Sequence, residues 1–402
     1  MSMLQPLADP APASDAGEVL DRGQATTQCR GDGESRRVDR IGAIEYSGAT
    51  KRCCGPSVSN LPAAPASLAC EPRTTRDEAR VPPALAQSAS HRGSHQTPDQ
   101  LQRASETSRQ LARGMAVIPG GSFLMGSTDE DAFLDDGEGP VREVVLSSYA
   151  MDEVAVTNRR FAEFVADTGY MTDAERCGWS FVFDAMVSAG TSDAARGDSV
   201  PDAPWWLAVG GASWRTPEGP GSGTQGRIDH PVVHVSWRDA DAYAAWAGKC
   251  LPTEAQWEGA ARGGLERARY PWGDELRPGG THRCNIWQGR FPNINTGEDG
   301  YVGTAPVDAF EPNGYGLFNM AGNVWEWCAD WWSAGWHTQA APGTRRDPRG
   351  PDEGAGKVMR GGSYLCHASY CNRYRVAART YNSIDSSSSH IGFRCATAVV
   401  AD

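Results

Sequence analysis

The distribution of tryptophan is the feature that most constrains how this chain of 402 residues folds. All 14 Trp residues lie between Trp179 and Trp336. Residues 1–114 contain a single aromatic residue, Tyr46, together with ten Pro. A segment that poor in large apolar side chains cannot bury enough surface to offset the entropy that it loses on ordering. The sequence therefore predicts a disordered N-terminal arm over 1–114 and one folded domain over 115–402.

Charge is divided between the same two segments. Residues 1–114 carry 14 Lys and Arg against 13 Asp and Glu, whereas the remainder carries 24 against 37. This acidic balance argues against nucleic-acid binding, which requires a basic surface. Mean hydropathy is -0.49, and no apolar run approaches the roughly 18 residues of a membrane helix. We therefore expect a soluble protein that binds neither nucleic acid nor a membrane.

The amino terminus and the cysteine content both bear on the cellular compartment. The first residues, Met-Ser-Met-Leu-Gln-Pro, lack the basic segment and apolar stretch of a signal peptide. Eleven Cys is an odd number and too few for a disulfide scaffold at this length. We therefore expect a cytoplasmic protein in which free thiols are the default. A close pair of Cys in the folded part then becomes a candidate for chemistry.

Capping signals predict three helices in the first half of the folded part. Thr157 precedes the first helix, which ends at Gly169. Ser236 precedes the second. Thr253 and Gln256, which are three residues apart, form a capping box before the third.

The rest of the folded part predicts short strands and many loops. Two strands joined by a glycine turn are predicted within 117–126, and a further strand over 144–151. After residue 264 no segment keeps a helical or strand period for long, yet Trp is abundant there. Disordered chains are poor in Trp, so we predict a compact α+β domain with little regular secondary structure.

Two segments concentrate oxygen ligands of the kind that calcium binds. The first spans 285–301 and the second 319–327, and both combine Asn and acidic residues with Gly. Calcium takes six to eight oxygens, and Gly permits the tight turns that direct them at the ion. Neither segment has the spacing of an EF-hand, and such runs are also typical of plain turns. The residue pattern leaves both interpretations open.

Cys366 and Cys371 are the most informative pair of residues in the chain. They lie five residues apart and are flanked by Ser, His and Tyr. Thiolates bind Cu(I), zinc and iron–sulfur clusters, but structural zinc usually has four protein ligands, and the folded part has no second Cys pair of this kind. Two thiolates are sufficient for a linear Cu(I) site. The spacing is equally consistent with a disulfide or with two unrelated buried thiols.

Residues 115–396 resemble the formylglycine-generating enzymes, which are copper-dependent oxidases that convert a cysteine of sulfatases to Cα-formylglycine. The most specific block is Gly-Gly-Ser-Tyr-Leu-Cys-His-Ala-Ser-Tyr-Cys at 361–371, which marks the catalytic branch. The resemblance implies a single loop-rich α+β domain related to C-type-lectin-like folds. Other matching blocks are Gly-Gly-Ser-Phe-Leu-Met-Gly at 120–126, His-Pro-Val-Val-His-Val-Ser-Trp at 230–237, Leu-Pro-Thr-Glu-Ala-Gln-Trp-Glu at 251–258 and Gly-Phe-Arg-Cys at 392–395.

Carried over residue by residue, the resemblance implies one Cu(I) site and two structural Ca²⁺ sites. Cys366 and Cys371 would bind copper, Ser363 would lie beside the reacting sulfur, and Trp325 would wall the oxygen pocket. Trp205, Trp206 and His367 are expected at the substrate groove. The implied calcium ligands are Asn285, Ile286, Asp299 and Tyr301 at the first site and Asn319, Gly322, Val324 and Glu326 at the second.

The resemblance also implies the substrate and the partner. The substrate would be an unfolded sulfatase polypeptide with a Cys-x-Pro-x-Arg motif, oxidised with O₂, and we expect a monomeric enzyme. One alternative is a non-catalytic, calcium-stabilised binding module for sulfatase or other peptides. Such a binder has no reason to keep the Cys pair.

A third alternative is an iron-dependent enzyme of the same superfamily that forms C–S bonds at a His-rich site. The chain offers His91 with His95 in the arm, and His230 with His234 in the folded part. We interpret all four as ordinary polar residues.

One departure from the vertebrate members of the family concerns disulfides. Those relatives work in the secretory pathway and have two internal disulfides, as the resemblance implies. Here Ala244 stands opposite Cys395, and Ala261 and Val376 occupy both positions of the other pair. We therefore predict that Cys395 is a buried free thiol.

Overall fold

The structure, a computed structural model, describes residues 114–338 and 342–399. The predicted disordered arm lies, except for Gly114, outside the described residues, as do His91 and His95, and it stays a prediction. The described helices are α1 (Asn158–Thr168), α2 (Asp173–Cys177), α3 (Trp237–Trp246) and α4 (Glu254–Ala261). The strands are β1 (Met115–Ile118), β2 (Gly121–Met125), β3 (Arg142–Leu146), β4 (Tyr149–Asp152), β5 (Trp179–Phe183), β6 (Arg196–Val200), β7 (Ala203–Gly210), β8 (Gly289–Arg290), β9 (Ile294–Asn295), β10 (Trp325–Trp331), β11 (Lys357–Arg360), β12 (Arg379–Asn382), β13 (Ile391–Gly392) and β14 (Ala396–Ala398).

The three helices predicted from capping signals are confirmed. The Thr157 side chain accepts a hydrogen bond from the Arg160 amide at the start of α1, and Gly169 ends this helix with a left-handed φ of 67°. Ser236 and Thr253 both form full capping boxes, at the starts of α3 and α4. Because each cap satisfies amides that have no partner within the helix, these signals can be recognised in the sequence alone. Helix α2, which is only five residues long, was not predicted.

The strands form small sheets instead of one large one. The orders are β1-β4-β14, β5-β7-β6 and β12-β11-β10-β13, with β2-β3 and β8-β9 as two-stranded pairs. The strands β10 and β13 run parallel, and β10 pairs antiparallel with β11. The predicted α+β architecture with many ordered loops is confirmed.

The single strand predicted over 144–151 is wrong. The structure divides this segment into β3, which pairs with β2, and β4, which pairs with β1 and β14 in another sheet. At the break, both the backbone N–H and the hydroxyl of Ser147 donate to the Asp347 carboxylate, at 2.7 and 2.8 Å. This carboxylate is 200 residues away in the chain, so no local sequence signal predicts the break between the two strands.

Buried ion pairs connect helix α4 to the sheet of β10–β13. Arg360, which is fully buried at the end of β11, donates to the Glu254 carboxylate at 3.1 Å and also to that of Glu258. Arg379 donates to both oxygens of Glu254, at 2.6 and 2.7 Å. Burial by itself raises the pKa of Glu254, but the nearby Arg379, His337 and Arg360 hold it well below its ordinary value. The carboxylate is therefore ionised inside the core.

The free cysteines of the described residues are Cys250, Cys284, Cys328, Cys366, Cys371 and Cys395. The prediction that Cys395 is a buried free thiol is confirmed, since it is fully buried in the core with Ala244. Ala261 and Val376 share a second apolar cluster. Cys177 is disulfide-bonded, so the expectation of free thiols does not hold for that residue.

Within the described part of the chain, no helix is both long enough and apolar enough to cross a membrane.

Candidate active site

The structure brings the two cysteines of the 361–371 segment together. The Sγ atoms of Cys366 and Cys371 lie 3.1 Å apart, and both residues are buried, with 1% and 0% of their surface exposed. A disulfide has an S–S distance of about 2.05 Å, and neither cysteine is in a disulfide. Neither a disulfide nor two unrelated thiols describes this arrangement. Two soft sulfur donors at this distance form a pair that one thiophilic ion can bind.

The segment before Cys366 is a turn that only glycine permits. Gly361 and Gly362 have φ of 93° and 74°, and a Cβ on Gly362 would lie 3.0 Å from backbone atoms of Arg373 and Tyr374. This close approach packs the start of the turn against the chain that follows Cys371. Ser363 is fully buried inside it and donates its backbone N–H to the Cys366 sulfur at 3.3 Å. Ser363 therefore lies beside the Cys366 sulfur, and its expected role in the reaction stays a prediction.

A loop from the amino-terminal part of the domain clamps the chain that follows Cys371. Arg375 is buried and makes two hydrogen bonds to the Glu138 carboxylate, at 2.5 and 2.8 Å. Arg373 donates to Asp136 at 2.6 Å and lies over the ring of Phe133, 3.7 Å from its centroid. Sequence reasoning missed this clamp, because more than 230 residues separate its two sides.

An aromatic cluster adjoins the cysteine loop. Tyr370, which lies between the two cysteines in the chain, stacks on Phe291 with centroids 4.3 Å apart and meets Trp205 edge-on at 5.0 Å. Trp205 is partly exposed, whereas Trp206 is 1% exposed and packs on His390 at 4.6 Å. The two tryptophans therefore differ in how far they are exposed to solvent. Trp205 can meet a bound peptide, while Trp206 supports the cluster from the core.

His367 lies at the edge of this site and is partly exposed. Its Nδ1 is 2.8 Å from the Ser369 hydroxyl. Burial lowers the pKa of its imidazole below the ordinary value, opposed by a hydrogen bond to the Gly289 backbone. The ring is therefore neutral near pH 7, and its expected contact with substrate stays a prediction.

Trp325 begins strand β10 in the same apolar cluster as the two cysteines. It is fully buried, and its indole Nε1 has no hydrogen-bond partner among the described residues. Tyr374 and Cys284 belong to this cluster too. Burial raises the pKa of the Tyr374 phenol, with smaller contributions from the thiols of Cys366, Cys284 and Cys371. The sulfur pair therefore lies in a largely apolar environment with an unpaired indole donor.

At the first predicted calcium segment, one buried carboxylate organises the loop. Asp299 accepts from the backbone N–H groups of Ile286 and Tyr301, at 3.0 and 3.1 Å. Burial is the main cause of the raised pKa of Asp299, and no described Lys or Arg pairs with its carboxylate. The Asn285 amide donates to the Gly303 carbonyl at 2.8 Å. The structure thus brings two of the other implied ligand residues, Ile286 and Tyr301, to the Asp299 carboxylate through their backbone N–H groups.

In the second predicted calcium segment, the implied ligands differ in whether their oxygen atoms are available to a cation. The Asn319 Oδ1 is buried without a hydrogen-bond partner among the described residues, and Asn319 has a left-handed φ of 50°. Gly322 can have no side chain, because a Cβ there would lie 2.3 Å from the Asn285 carbonyl oxygen. Glu326 departs from the expectation. Both of its carboxylate oxygens accept from Arg394, at 2.7 and 2.8 Å, and one also accepts from Trp257.

The histidines of the folded part do not form an iron site. His230 Nδ1 is 3.0 Å from the Thr304 hydroxyl. Both ring nitrogens of His234 are engaged, by Ser180 Oγ and the Pro217 carbonyl, each at 2.7 Å. No group of three or more His, Cys, Asp or Glu residues in the described ranges could hold a metal ion. Both histidines therefore have hydrogen-bond partners within the fold, and their interpretation as ordinary polar residues stays a prediction.

Comparison with known proteins assigns the family. The model of the sulfatase-modifying factor enzyme 1-like domain matches residues 100–399. A formylglycine-generating enzyme of Thermomonospora curvata is 67% identical over 290 residues, which cover 72% of this chain and 94% of that protein. One of Streptomyces coelicolor is 60% identical, with 71% and 89% covered. The chain belongs to the sulfatase-modifying factor family of formylglycine-generating enzymes.

Two further relatives show the breadth of this family. An inactive Cα-formylglycine-generating enzyme 2 of Bos taurus is 47% identical over 286 residues, covering 70% of this chain and 87% of that protein. The solved structure of PvdO from Pseudomonas aeruginosa superimposes with a TM-score of 0.51 at 24% identity, covering 71% of this chain and 94% of PvdO. PvdO therefore supports the fold alone. Because the family includes an inactive member, catalysis must be argued from the site of each chain.

Proposed function

We propose that this protein is a copper-dependent oxidase that uses O₂ to convert the cysteine of a Cys-x-Pro-x-Arg motif in unfolded sulfatase polypeptides to Cα-formylglycine. The observation that carries the proposal is the buried pair of Cys366 and Cys371, whose sulfurs lie 3.1 Å apart without forming a disulfide. Membership of the family supports the reaction type, and the names of the two bacterial relatives support the product. The expected cytoplasmic location and monomeric state rest on the sequence alone.

The residues present fit Cu(I). Thiolates are the protein ligands that Cu(I) prefers, and the apolar surroundings of Cys366 and Cys371 exclude competing hard ligands. When bound, Cu(I) would lower the pKa of an incoming substrate thiol and supply the redox chemistry toward O₂. Ser363 and Trp325 would act near the reacting atoms. This is supported by the hydrogen bond from the Ser363 backbone N–H to the Cys366 sulfur and by the unpaired indole N–H of Trp325 in the same apolar cluster.

The aromatic cluster supplies a surface for the substrate chain. Trp205, Phe291 and Tyr370 pack on one another next to the cysteine loop, and Trp205 is partly exposed. Aromatic rings offer large, rigid contact area to an extended peptide at low entropic cost. The acidic surface of the domain would attract the arginine of the motif over a longer range.

Reduction of O₂ to water in this reaction requires a second reductant. Oxidation of a CH₂–SH group to an aldehyde, with water entering and H₂S leaving, releases two electrons and two protons. Reduction of O₂ to two molecules of water takes up four electrons. The remaining two electrons must come from an external thiol, which is oxidised to a disulfide, so the assay has to contain one.

A peptide assay tests the proposal directly. Incubation of the full chain with Cu(I), O₂, a thiol reductant and a Cys-x-Pro-x-Arg peptide is expected to convert the peptide thiol to an aldehyde, seen by mass spectrometry and hydrazone trapping. Omission of copper should abolish the aldehyde, and replacement of the peptide arginine by alanine should lower the yield at subsaturating concentration. Loss of thiol without any aldehyde would show only adventitious oxidation and would contradict the proposal.

We further propose that both oxygen-rich loops bind Ca²⁺. At the first loop the support is the buried Asp299 carboxylate, and at the second the unpaired Asn319 Oδ1. Calcium would satisfy both groups, because it binds carboxylate and amide oxygens. Glu326 is expected to contribute less than the other ligands, since Arg394 already neutralises its charge.

Removal of calcium is expected to lower the melting temperature. Calcium that binds only the folded chain stabilises it by about 2.7 kcal/mol at a concentration 100-fold above the dissociation constant. Scanning calorimetry of the chelator-treated protein with and without added calcium measures this difference. Asp299→Ala should reduce the calcium response, whereas Asn313→Ala, whose amide binds backbone at helix α4, should keep it. Equal melting temperatures with and without calcium would refute both sites.

The alternative function is a non-catalytic peptide-binding module, and a bovine relative is named as inactive. Such a module would bind the motif peptide through the aromatic cluster without consuming it. The buried sulfur pair favours the oxidase, because a binder gains nothing from two thiols held 3.1 Å apart in its core. Tight peptide binding without aldehyde formation in the assay above would favour the module.

A further inference from the structure

Asn323 lies in the second oxygen-rich loop and is hydrogen-bonded to both the first loop and the cysteine turn. Neither the proposed copper site nor the proposed calcium sites use its side chain. It is 2% exposed and has a left-handed φ of 61°. Asparagine accepts this conformation more readily than most residues, but a polar side chain in the core must still be satisfied. Its hydrogen bonds therefore indicate what it holds in place.

The side chain of Asn323 joins two loops. Its Oδ1 accepts from the Asn285 amide at 3.2 Å and from the Ala305 backbone N–H at 2.9 Å. Its Nδ2 donates to the Ala305 carbonyl at 3.1 Å. Three hydrogen bonds thus fix the relative positions of the chain at 285 and at 305.

The backbone of Asn323 extends this connection to Cys366 by two routes. On the first, its carbonyl accepts from the Tyr364 N–H at 2.9 Å, two residues before Cys366. On the second, its N–H donates to the Asn285 carbonyl at 2.8 Å, and Trp287, two residues further on, donates its N–H to the Cys366 carbonyl at 3.0 Å. The turn that carries Cys366 is therefore held on both sides by segments that Asn323 ties together.

We propose that Asn323 is a positioning residue that holds Cys366 at the distance from Cys371 at which the two sulfurs act as one ligand pair. Residues that orient metal ligands through hydrogen bonds typically change metal affinity or activity by about 10- to 100-fold when removed. The link to catalysis rests on the proposed function, but the positioning of the two thiols does not.

Asn323→Gly is the appropriate variant. Glycine keeps the left-handed backbone and both backbone hydrogen bonds, and it removes only the three side-chain bonds. In the copper-free full-length protein, the oxidant diamide accepts two electrons and two protons from two adjacent thiols, which become a disulfide. Peptide mapping after alkylation then measures the rate at which the Cys366–Cys371 disulfide forms. This rate is expected to fall by about tenfold in Asn323→Gly.

The matched control is Asn313→Ala. The Asn313 side chain also ties a loop together, donating to the Ala260 and Ala261 carbonyls and accepting from the backbone N–H groups of Tyr315 and Leu317. It packs against the end of helix α4, away from the cysteine turn. Asn313→Ala should lower the melting temperature comparably while its rate of disulfide formation stays within about twofold of the wild type.

Cu(I) affinity is a second readout that does not depend on turnover. Competition with a colorimetric Cu(I) chelator should show an affinity about tenfold lower for Asn323→Gly and an unchanged one for Asn313→Ala. The proposal is overturned if Asn323→Gly pairs its thiols as fast as the wild type, or if both variants slow pairing equally. A wild-type protein that pairs its thiols as described but fails to convert the peptide would instead refute the proposed function.

Discussion

Replacing either Cys366 or Cys371 with serine is expected to abolish copper-dependent conversion of a Cys-x-Pro-x-Arg peptide, lowering the rate roughly 10³-fold or more. The physical reason is that a hydroxyl is a poor ligand for Cu(I), so one remaining sulfur cannot hold the ion as the pair does. The fold should persist, because serine is close to cysteine in volume and the substitution alters one atom in a large cluster of packed side chains. Aldehyde formation measured by mass spectrometry, together with circular dichroism, separates these two effects.

Cys250→Ser is the control for the substitution itself. Cys250 is an exposed free thiol that donates to the Ala396 carbonyl at 3.2 Å, away from the sulfur pair. Its replacement should leave aldehyde formation within about twofold of the wild type. Substantial copper-dependent turnover by Cys366→Ser or by Cys371→Ser would show that the pair is not the copper site.

Replacing Arg360 with methionine is expected to destabilise the protein by about 3–5 kcal/mol. Arg360 is fully buried, and its guanidinium pairs with Glu254 and Glu258 and donates to the carbonyls of Ala377 and Val376. Methionine has a similar length but leaves two buried carboxylates short of compensating charge. Urea unfolding followed by tryptophan fluorescence measures the free energy of unfolding.

Arg159→Met provides the comparison at the surface. Arg159 pairs with Asp229 at 2.9 Å, but the two side chains are 52% and 62% exposed. Exposed pairs of this kind contribute at most about 1 kcal/mol, because water and salt screen them. If Arg360→Met cost no more than Arg159→Met, the buried network would not be what joins helix α4 to the sheet of β10–β13.

The buried network also positions the site. Arg360 is followed directly by Gly361, Gly362 and Ser363, the turn that leads into Cys366. Partial loss of activity in Arg360→Met, measured well below its melting temperature, would therefore indicate that the ion pairs orient this turn as well as stabilise the domain.

The sequence by itself determined the features that depend on neighbouring residues. The caps of α1, α3 and α4 could be predicted because Thr157, Ser236 and Thr253 bond amides only three residues away. The α+β class followed from the combination of irregular periodicity with abundant tryptophan. The importance of Cys366, Cys371 and Ser363 followed from the specific block at 361–371, which one short turn contains.

Only the tertiary structure decided the features that join distant parts of the chain. The break between β3 and β4 depends on Asp347, and the clamp after Cys371 depends on Glu138. The 3.1 Å distance between the sulfurs, which separates a ligand pair from a disulfide, is equally a result of packing. The sequence pattern records which residues are polar or apolar, but it does not record which distant partner satisfies each of them. In the folded core, a buried carboxylate or amide bonds the group that packs against it, however far away that group lies along the chain.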